Sequence, residues 1–201
     1  MVAKALPVIA IKNDLPQTLK EFINYAKKNP GKVNLGHAGV GSSNYLICRA
    51  FTKAAGIEVT LVSYRGAAPA LNDLMGGQID GVCDAAVSAA PAIEGGKIRG
   101  LVISSPSRLR TIPNVPTSAE AGLPEFQMQG WNALFAPKGT PEAIISKLNS
   151  ALRAAVASEA FQKRMDELGA LPASGDELTP EYVQKLVPAE IEKFRGLLGS
   201  G

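Results

Sequence analysis

The alternation of short apolar runs with amphipathic helical stretches between residues 8 and 103 limits the fold of this chain more than any other feature. Residues 8–11 read as a strand. Thr18-Leu19-Lys20-Glu21 is a capping box. Leu19, Phe22, Ile23 and Ala26 then recur at the spacing of one helix face, and Asn29-Pro30-Gly31 stops the run. Strand patterns follow at residues 32–36, 59–62, 79–83 and 98–103. Helical patterns lie between them and close at Gly56, at Gly76-Gly77 and at Gly95-Gly96. Sequential strand–helix–strand units imply parallel strands with right-handed crossovers. The expected class is therefore α/β with a mainly parallel sheet.

Within that order, His37-Ala38-Gly39-Val40-Gly41-Ser42-Ser43-Asn44 joins a strand to a helix. Such a junction turns free backbone N–H groups and the positive end of a helix dipole toward one point, which suits a carboxylate or a phosphate. The loop lacks the lysine of a phosphate-binding G-x-x-x-x-G-K-[ST] loop, the G-x-G-x-x-G dinucleotide pattern and the G-x-S-x-G nucleophile elbow. The competing reading is a tight turn whose serines cap the helix. Ligands of parallel sheets bind at the carboxyl ends of strands, which adds Tyr64-Arg65-Gly66-Ala67, Asp84-Ala85-Ala86 and Ser104-Ser105.

The chain has 201 residues, a net charge of +3, 46% apolar and 19% charged residues. The basic residues are scattered, which argues against nucleic acid as a partner. No apolar run has the length of a membrane span, and the N-terminus does not read as a signal peptide. Cys48 falls in mid-helix and Cys83 at a strand end, placements read as buried thiols rather than a disulfide or metal site. The single histidine excludes His-rich metal sites.

Beyond residues 104–116, a Pro/Ser/Arg-rich connection, the pattern changes. Thr117-Ser118-Ala119-Glu120 is a second capping box on a short helix, and residues 127–135 read as a long strand with Trp131. Thr140-Pro141 opens a helix whose apolar face is Ile144, Ile145, Leu148, Leu152 and Ala155. A further helix starts at Ser158 and stops at Gly169, a short strand is expected near residues 171–173, and Thr179-Pro180 starts the last helix. That section holds several helices and little sheet for them to cover.

As a set, Ala26-Lys27-Lys28-Asn29-Pro30-Gly31-Lys32-Val33-Asn34, Ala38-Gly39-Val40-Gly41-Ser42-Ser43, Tyr64-Arg65-Gly66-Ala67-Ala68-Pro69-Ala70, Leu74-Met75-Gly76-Gly77-Gln78-Ile79-Asp80, Val115-Pro116-Thr117-Ser118-Ala119-Glu120-Ala121-Gly122 and Leu134-Phe135-Ala136-Pro137-Lys138-Gly139-Thr140-Pro141 resemble the solute-binding receptors of tripartite tricarboxylate transporters, the Bug family. The resemblance implies a periplasmic-binding-protein-like fold of two α/β lobes closing on a small carboxylate, no cofactor, no catalysis, membrane transporter subunits as partners and a periplasmic location. It divides the chain into a crossover strand (1–13), a complete lobe two (14–125) and a helical section returning to an incomplete lobe one (126–201). On this reading the family's signal peptide and the first half of lobe one are absent. The uncovered helices then predict a homo-oligomer, formed by exchange of C-terminal helices.

By the same resemblance Gly39, Val40, Gly41, Ser42 and Ser43 hold the ligand, and Asp84 orients it through water. The alternative for Asp84 is an N-cap. Arg65 is a candidate partner for a distal carboxylate or a surface residue, and Trp131 is a cleft wall or a strand aromatic. His37 reads as structural. A Ser42–His37–Asp84 triad lacks the elbow that such a nucleophile needs. An α/β enzyme or phosphoanion-binding domain using the same loop, and a fragment that binds nothing, are the other readings. Two departures from the family pattern stand out. Asp84-Ala85-Ala86-Val87 is less polar than usual, and Pro188 predicts a kink or break near Val187.

Overall fold

The computed structural model describes residues 1–198. Its elements fall into two compact units, one of Leu6–Gly130 and one that joins Met1–Ala5 to the chain from Trp131 onward.

In the first unit, β2 (Pro7–Ile11) is buried along its whole length. Helix α1 (Leu19–Lys28) starts at the Thr18 capping box, as the sequence predicts, and buries Leu19, Phe22 and Ala26. Strand β3 (Asn34–His37) leads into α2 (Ser43–Ala55), which ends on Gly56 in the left-handed conformation, φ 60°. Next come β4 (Thr60–Ser63), α3 (Ala67–Met75), β5 (Gly81–Ala85), α4 (Ala86–Glu94) and β6 (Arg99–Ile103). The sheet order is β4-β3-β5-β2-β6. Strand β3 is parallel to β4 and to β5, as the βαβ pattern requires.

Strand β2 breaks the uniformity. It lies between β5 and β6 and is antiparallel to both, so the sheet is partly parallel although β3, β4, β5 and β6 share one direction. Because β2 is bonded on both edges, it belongs to this compact unit, which begins at Leu6. At its centre the backbones approach closely. A Cβ at Gly81 would lie 2.8 Å from the Ala10 carbonyl oxygen and 2.8 Å from Leu35.

Cys48 and Cys83 form a disulfide between α2 and β5, with Cα atoms 5.3 Å apart. This corrects the expectation of free thiols. Both cysteines are apolar-facing and fully buried, as expected. What brings them into range is the packing of α2 on β5, a tertiary contact.

The second unit pairs a small sheet, β7-β1-β8, with three helices. Its strands are β1 (Ala3–Ala5), β7 (Gly130–Asn132) and β8 (Leu171–Pro172). The helices are α5 (Glu142–Ala157), α6 (Glu159–Glu167, capped by Ser158) and α7 (Pro180–Leu198). Met1, Ala173 and Val183 are its buried centre, with Trp131, Leu178 and Val187 packed around them. Lys4 and Glu177 pair at 2.8 Å.

Four local expectations differ from the structure. Thr117 and Glu120 make the reciprocal capping bonds (2.8 and 3.2 Å) but close a turn and not a helix, since Gly122 follows at φ 78°. The long strand at 127–135 shrinks to β7, because β1, the strand beside it, is itself only three residues long. Helix α5 is capped by Pro141, while the Thr140 hydroxyl donates to the Pro137 carbonyl at 2.8 Å. Helix α7 runs through Pro188 without a break. A proline forfeits one backbone bond, which a 19-residue helix anchored by packing can bear.

Candidate functional site

The loop after β3 is built by two glycines that no side-chain-bearing residue replaces cheaply. Gly39 has φ 112° and Gly41 φ 83°. Gly39 N–H donates to His37 Nδ1 at 3.2 Å, and Tyr64 N–H donates to the His37 carbonyl at 2.9 Å, so the loops after β3 and β4 are tied together. His37 is buried against the Tyr45 ring, with centroids 5.0 Å apart, and burial lowers its pKa. It is structural, as read from the sequence.

Ser42 is the N-cap of α2. Its Oγ accepts from Tyr45 N–H at 3.2 Å and donates to the Gly39 carbonyl at 2.6 Å, so its hydroxyl is spent on the loop itself. Ser43 is exposed, with one long contact to Asn44 Oδ1 at 3.4 Å. The backbone N–H groups of Val40, Gly41, Ser43 and Asn44 have no intramolecular acceptor among the described residues. These four donors, and not the Ser42 hydroxyl, are what the loop offers to a ligand.

Asp84 closes β5 beside this loop. It is buried. Its Oδ1 accepts from Asn44 Nδ2 at 2.8 Å and from Ala85 N–H at 2.7 Å, while its Oδ2 is buried with no protein partner. Burial pushes the carboxyl above the ordinary carboxylate range, against the pull of the neighbouring donors. The N-cap of α4 is Ala85 and has no side-chain cap, so Asp84 does not cap that helix. Asn44 escaped the sequence reading. It lies one helical turn before Cys48, and Asp84 directly follows Cys83, so the disulfide and the Asn44–Asp84 bond join α2 to β5 at adjacent levels. An asparagine two residues into a helix, four before a cysteine, was the available signal.

The helix termini separate by charge. Helices α1, α5, α6 and α7 each carry a glutamate in the first turn. Helices α2, α3 and α4 carry no acid there, and these three begin at the carboxyl ends of β3, β4 and β5. One end of the sheet thus collects three helix N-termini with no acid in their first turns, with the buried Asp84 carboxyl beside those of α2 and α4. Arg65 is exposed in the loop before α3. Trp131 belongs to the other unit, half-buried on β7 with the Phe135 ring 6.5 Å away. The triad is not assembled: His37, Ser42 and Asp84 each bond to other groups. Among the described residues no cluster of three potential metal ligands occurs, and no helix is long and apolar enough to cross a membrane.

Two open grooves lie elsewhere. One, about 750 Å³, runs beside β6 and includes Arg99 and Arg108. The other, about 580 Å³, lies between α5 and α7 and includes Leu134, Phe135, Leu148, Leu152 and Val187.

The first unit is thus an α/β lobe with three helix N-termini gathered at one end of its sheet. Over residues 1–197 the chain matches the family described as tripartite tricarboxylate transporter family receptor, TctC, and it belongs to that family. It is 34% identical over 189 residues to the UPF0065 protein in the TAR-I ttuE-ttuC' intergenic region of Agrobacterium vitis, covering 94% of this chain and 55% of that one. Among solved structures it is similar to MatC of Rhodopseudomonas palustris with bound malate (35% identity, TM-score 0.87, 98% of this chain and 67% of that one). It is equally similar to R. palustris Rpa4515 with adipate (31% identity, TM-score 0.87, 98% and 65%). The chain thus spans about half the length of the curated relative and about two thirds of the solved ones.

Proposed function

We propose that this chain acts as a solute-binding receptor, taking a small organic carboxylate at the N-terminus of α2. The observation that carries this is the set of four unpaired N–H groups at Val40, Gly41, Ser43 and Asn44, at an end of the sheet where three helices start with no acid in their first turns. Gly39 and Gly41 give the loop its shape, and Ser43 adds an exposed hydroxyl. A carboxylate accepts several such bonds, each charge-assisted bond contributing about 1.5–3 kcal/mol. Asp84 lies too deep for direct contact and acts through Asn44 or a bridging water. Arg65, exposed in the loop before α3, would pair with a second carboxylate of the ligand. Solved relatives that bind malate and adipate support the class of ligand.

Receptors of this family are periplasmic, and a disulfide suits that oxidising compartment. The partners in this reading are the membrane subunits of a transporter. Exposed Leu134, Phe135, Ile144 and Leu148 give the second unit an uncovered apolar face, which a second copy of the chain would cover by pairing or exchanging its helices.

Calorimetric titration of the chain with succinate and adipate, and of Gly41→Val beside it, tests the site. Saturable heat from the wild type and none from the variant is the expected outcome. Equal heats from both, or nucleotide binding in place of carboxylate binding, would overturn it.

A further inference from the structure

The groove beside β6 lies at the other end of the sheet from the loop after β3. Strand β6 runs in the direction of β3 and β5, so Arg99, its first residue, sits at the amino ends of these strands. Asn13, just past the end of β2, donates to the Gly96 carbonyl at 2.9 Å and marks the same end. Three basic side chains from separate segments line the groove: Lys20 in the first turn of α1, Arg99 on β6 and Arg108 in the connection that follows. Glu120 is the one acid among the lining residues. Its carboxylate is already taken, accepting from Arg108 Nε at 2.9 Å and from the Thr117 N–H at 2.8 Å. Glu21, also in the first turn of α1, accepts from the Thr18 N–H and hydroxyl at 3.2 and 2.9 Å. Lys20 and Arg99 make no ion pair among the described residues. Arg99 is half-buried, and its Nε–H is shut off from water with no acceptor. A guanidinium placed so gives up part of its hydration with no protein group to replace it. An anion at its outer nitrogens would supply that replacement.

The backbone beside these side chains is open as well. Strand β6 is an edge strand, and residues 116–118 bond to it at Ile103 alone: Ile103 N–H donates to the Pro116 carbonyl at 3.0 Å and Ser118 N–H to the Ile103 carbonyl at 2.9 Å. From Arg99 to Val102 its outer side has no backbone partner among the described residues. Such an edge accepts an extended segment of another chain. Ligands of parallel sheets enter at the carboxyl ends of strands, so a groove at the amino ends is not where a solute of this fold would sit. We propose that this groove docks a short acidic segment of a partner protein, laid along the outer edge of β6 with its carboxylates on Arg99 and Lys20. Arg108, already paired, adds to the positive field there. The proposal does not depend on the carboxylate-receptor reading above.

Fluorescence anisotropy of a short fluorescein-labelled peptide of alternating glutamate and threonine, titrated with the whole chain, tests this. Saturable binding is expected, and none by the same peptide with lysine in place of glutamate. Added salt should weaken the binding, since exposed charges are screened. Arg99→Gln should weaken it about tenfold, the effect of losing one charge-assisted bond, and Lys20→Gln should weaken it in the same direction. Lys20 is exposed, so Lys20→Gln leaves the core intact and keeps the test decisive where Arg99→Gln folds poorly. Lys27→Gln removes an exposed charge of α1 outside the groove and should bind as the wild type does, as should Gly41→Val. No saturable binding, full affinity in both Arg99→Gln and Lys20→Gln, or equal weakening by Lys27→Gln would overturn the proposal. Loss of binding in Gly41→Val would place the peptide at the α2 loop and overturn it too, leaving the receptor reading standing. Displacement of the peptide by citrate or inorganic phosphate at equal concentration would make the groove a small-anion site and overturn the docked segment.

Discussion

Replacing both Cys48 and Cys83 by alanine removes a cross-link between residues 35 apart in sequence. In the chain-entropy account, a closed loop of that length restricts the unfolded chain by about 13 cal/mol/K, or about 4 kcal/mol at 25 °C. Both cysteines are fully buried, so each truncation also removes packed sulfur and adds to the loss. For a protein of this size the expected fall in melting temperature is on the order of 10 °C. Differential scanning calorimetry of the wild type, the double variant and the wild type reduced under denaturing conditions reads it. The reduced wild type should melt close to the variant. A thiol titration in denaturant should find no free thiol before reduction and two after it. Two titratable thiols in the unreduced protein, or melting temperatures within about 2 °C of each other, would refute the reasoning. Because Cys48 follows Asn44 by one helical turn, carboxylate binding by the double variant should weaken as well, at temperatures where it remains folded.

Two glycine replacements should differ in kind. Gly41→Val meets open space but forces a left-handed backbone, so it should cost about 1–2 kcal/mol of stability while abolishing binding. Gly81→Ala presses a methyl on the Ala10 carbonyl and should cost about 2–3 kcal/mol; chemical denaturation separates the two. Asp84 has a carboxyl pKa raised in the folded state, so its stabilising contribution is complete below the unfolded value, near 3.9, and is lost as pH rises through the folded value. Denaturation midpoints measured between pH 3 and 7 should show this decline, and Asp84→Asn should flatten it. Ile144→Lys with Leu148→Lys should turn an associated protein into a monomer by light scattering, and a wild type already monomeric at micromolar concentration would remove that part of the proposal.

Local signals carried much of the fold. The Thr18–Glu21 capping box, the glycine stop at Gly56 and the apolar periodicity of α1 act within a few residues, and each appears in the structure as read. The features that escaped depend on partners distant in the chain. Strand β2 reads as a strand from its own residues, but its antiparallel place between β5 and β6 is set by segments more than 65 residues away. The disulfide needs α2 seated on β5, and spacing alone says nothing of that. At the site, the loop and its helix were legible because glycines and serines announce a strand-to-helix junction. The division of labour within it was not. Sequence cannot tell that Ser42 turns its hydroxyl inward, or that Asp84 sinks beneath Asn44, since both depend on which side chain reaches a buried partner first.

The central place of β2 has a consequence for how the protein is made. Synthesis delivers Pro7–Ile11 well before both strands that bond to it, the later of which is β6, ending at Ile103. At about 5–20 residues per second, roughly 5 to 20 s pass between them. Until β5 emerges, a run of five residues that is wholly buried in the finished sheet has neither neighbour, and until β6 follows it has only one. The nascent chain is then an aggregation hazard and a natural client for chaperones that hold apolar segments. Deleting Pro7–Ile11 would open a gap in the middle of the sheet, with two unpaired edges in place of one shortened margin.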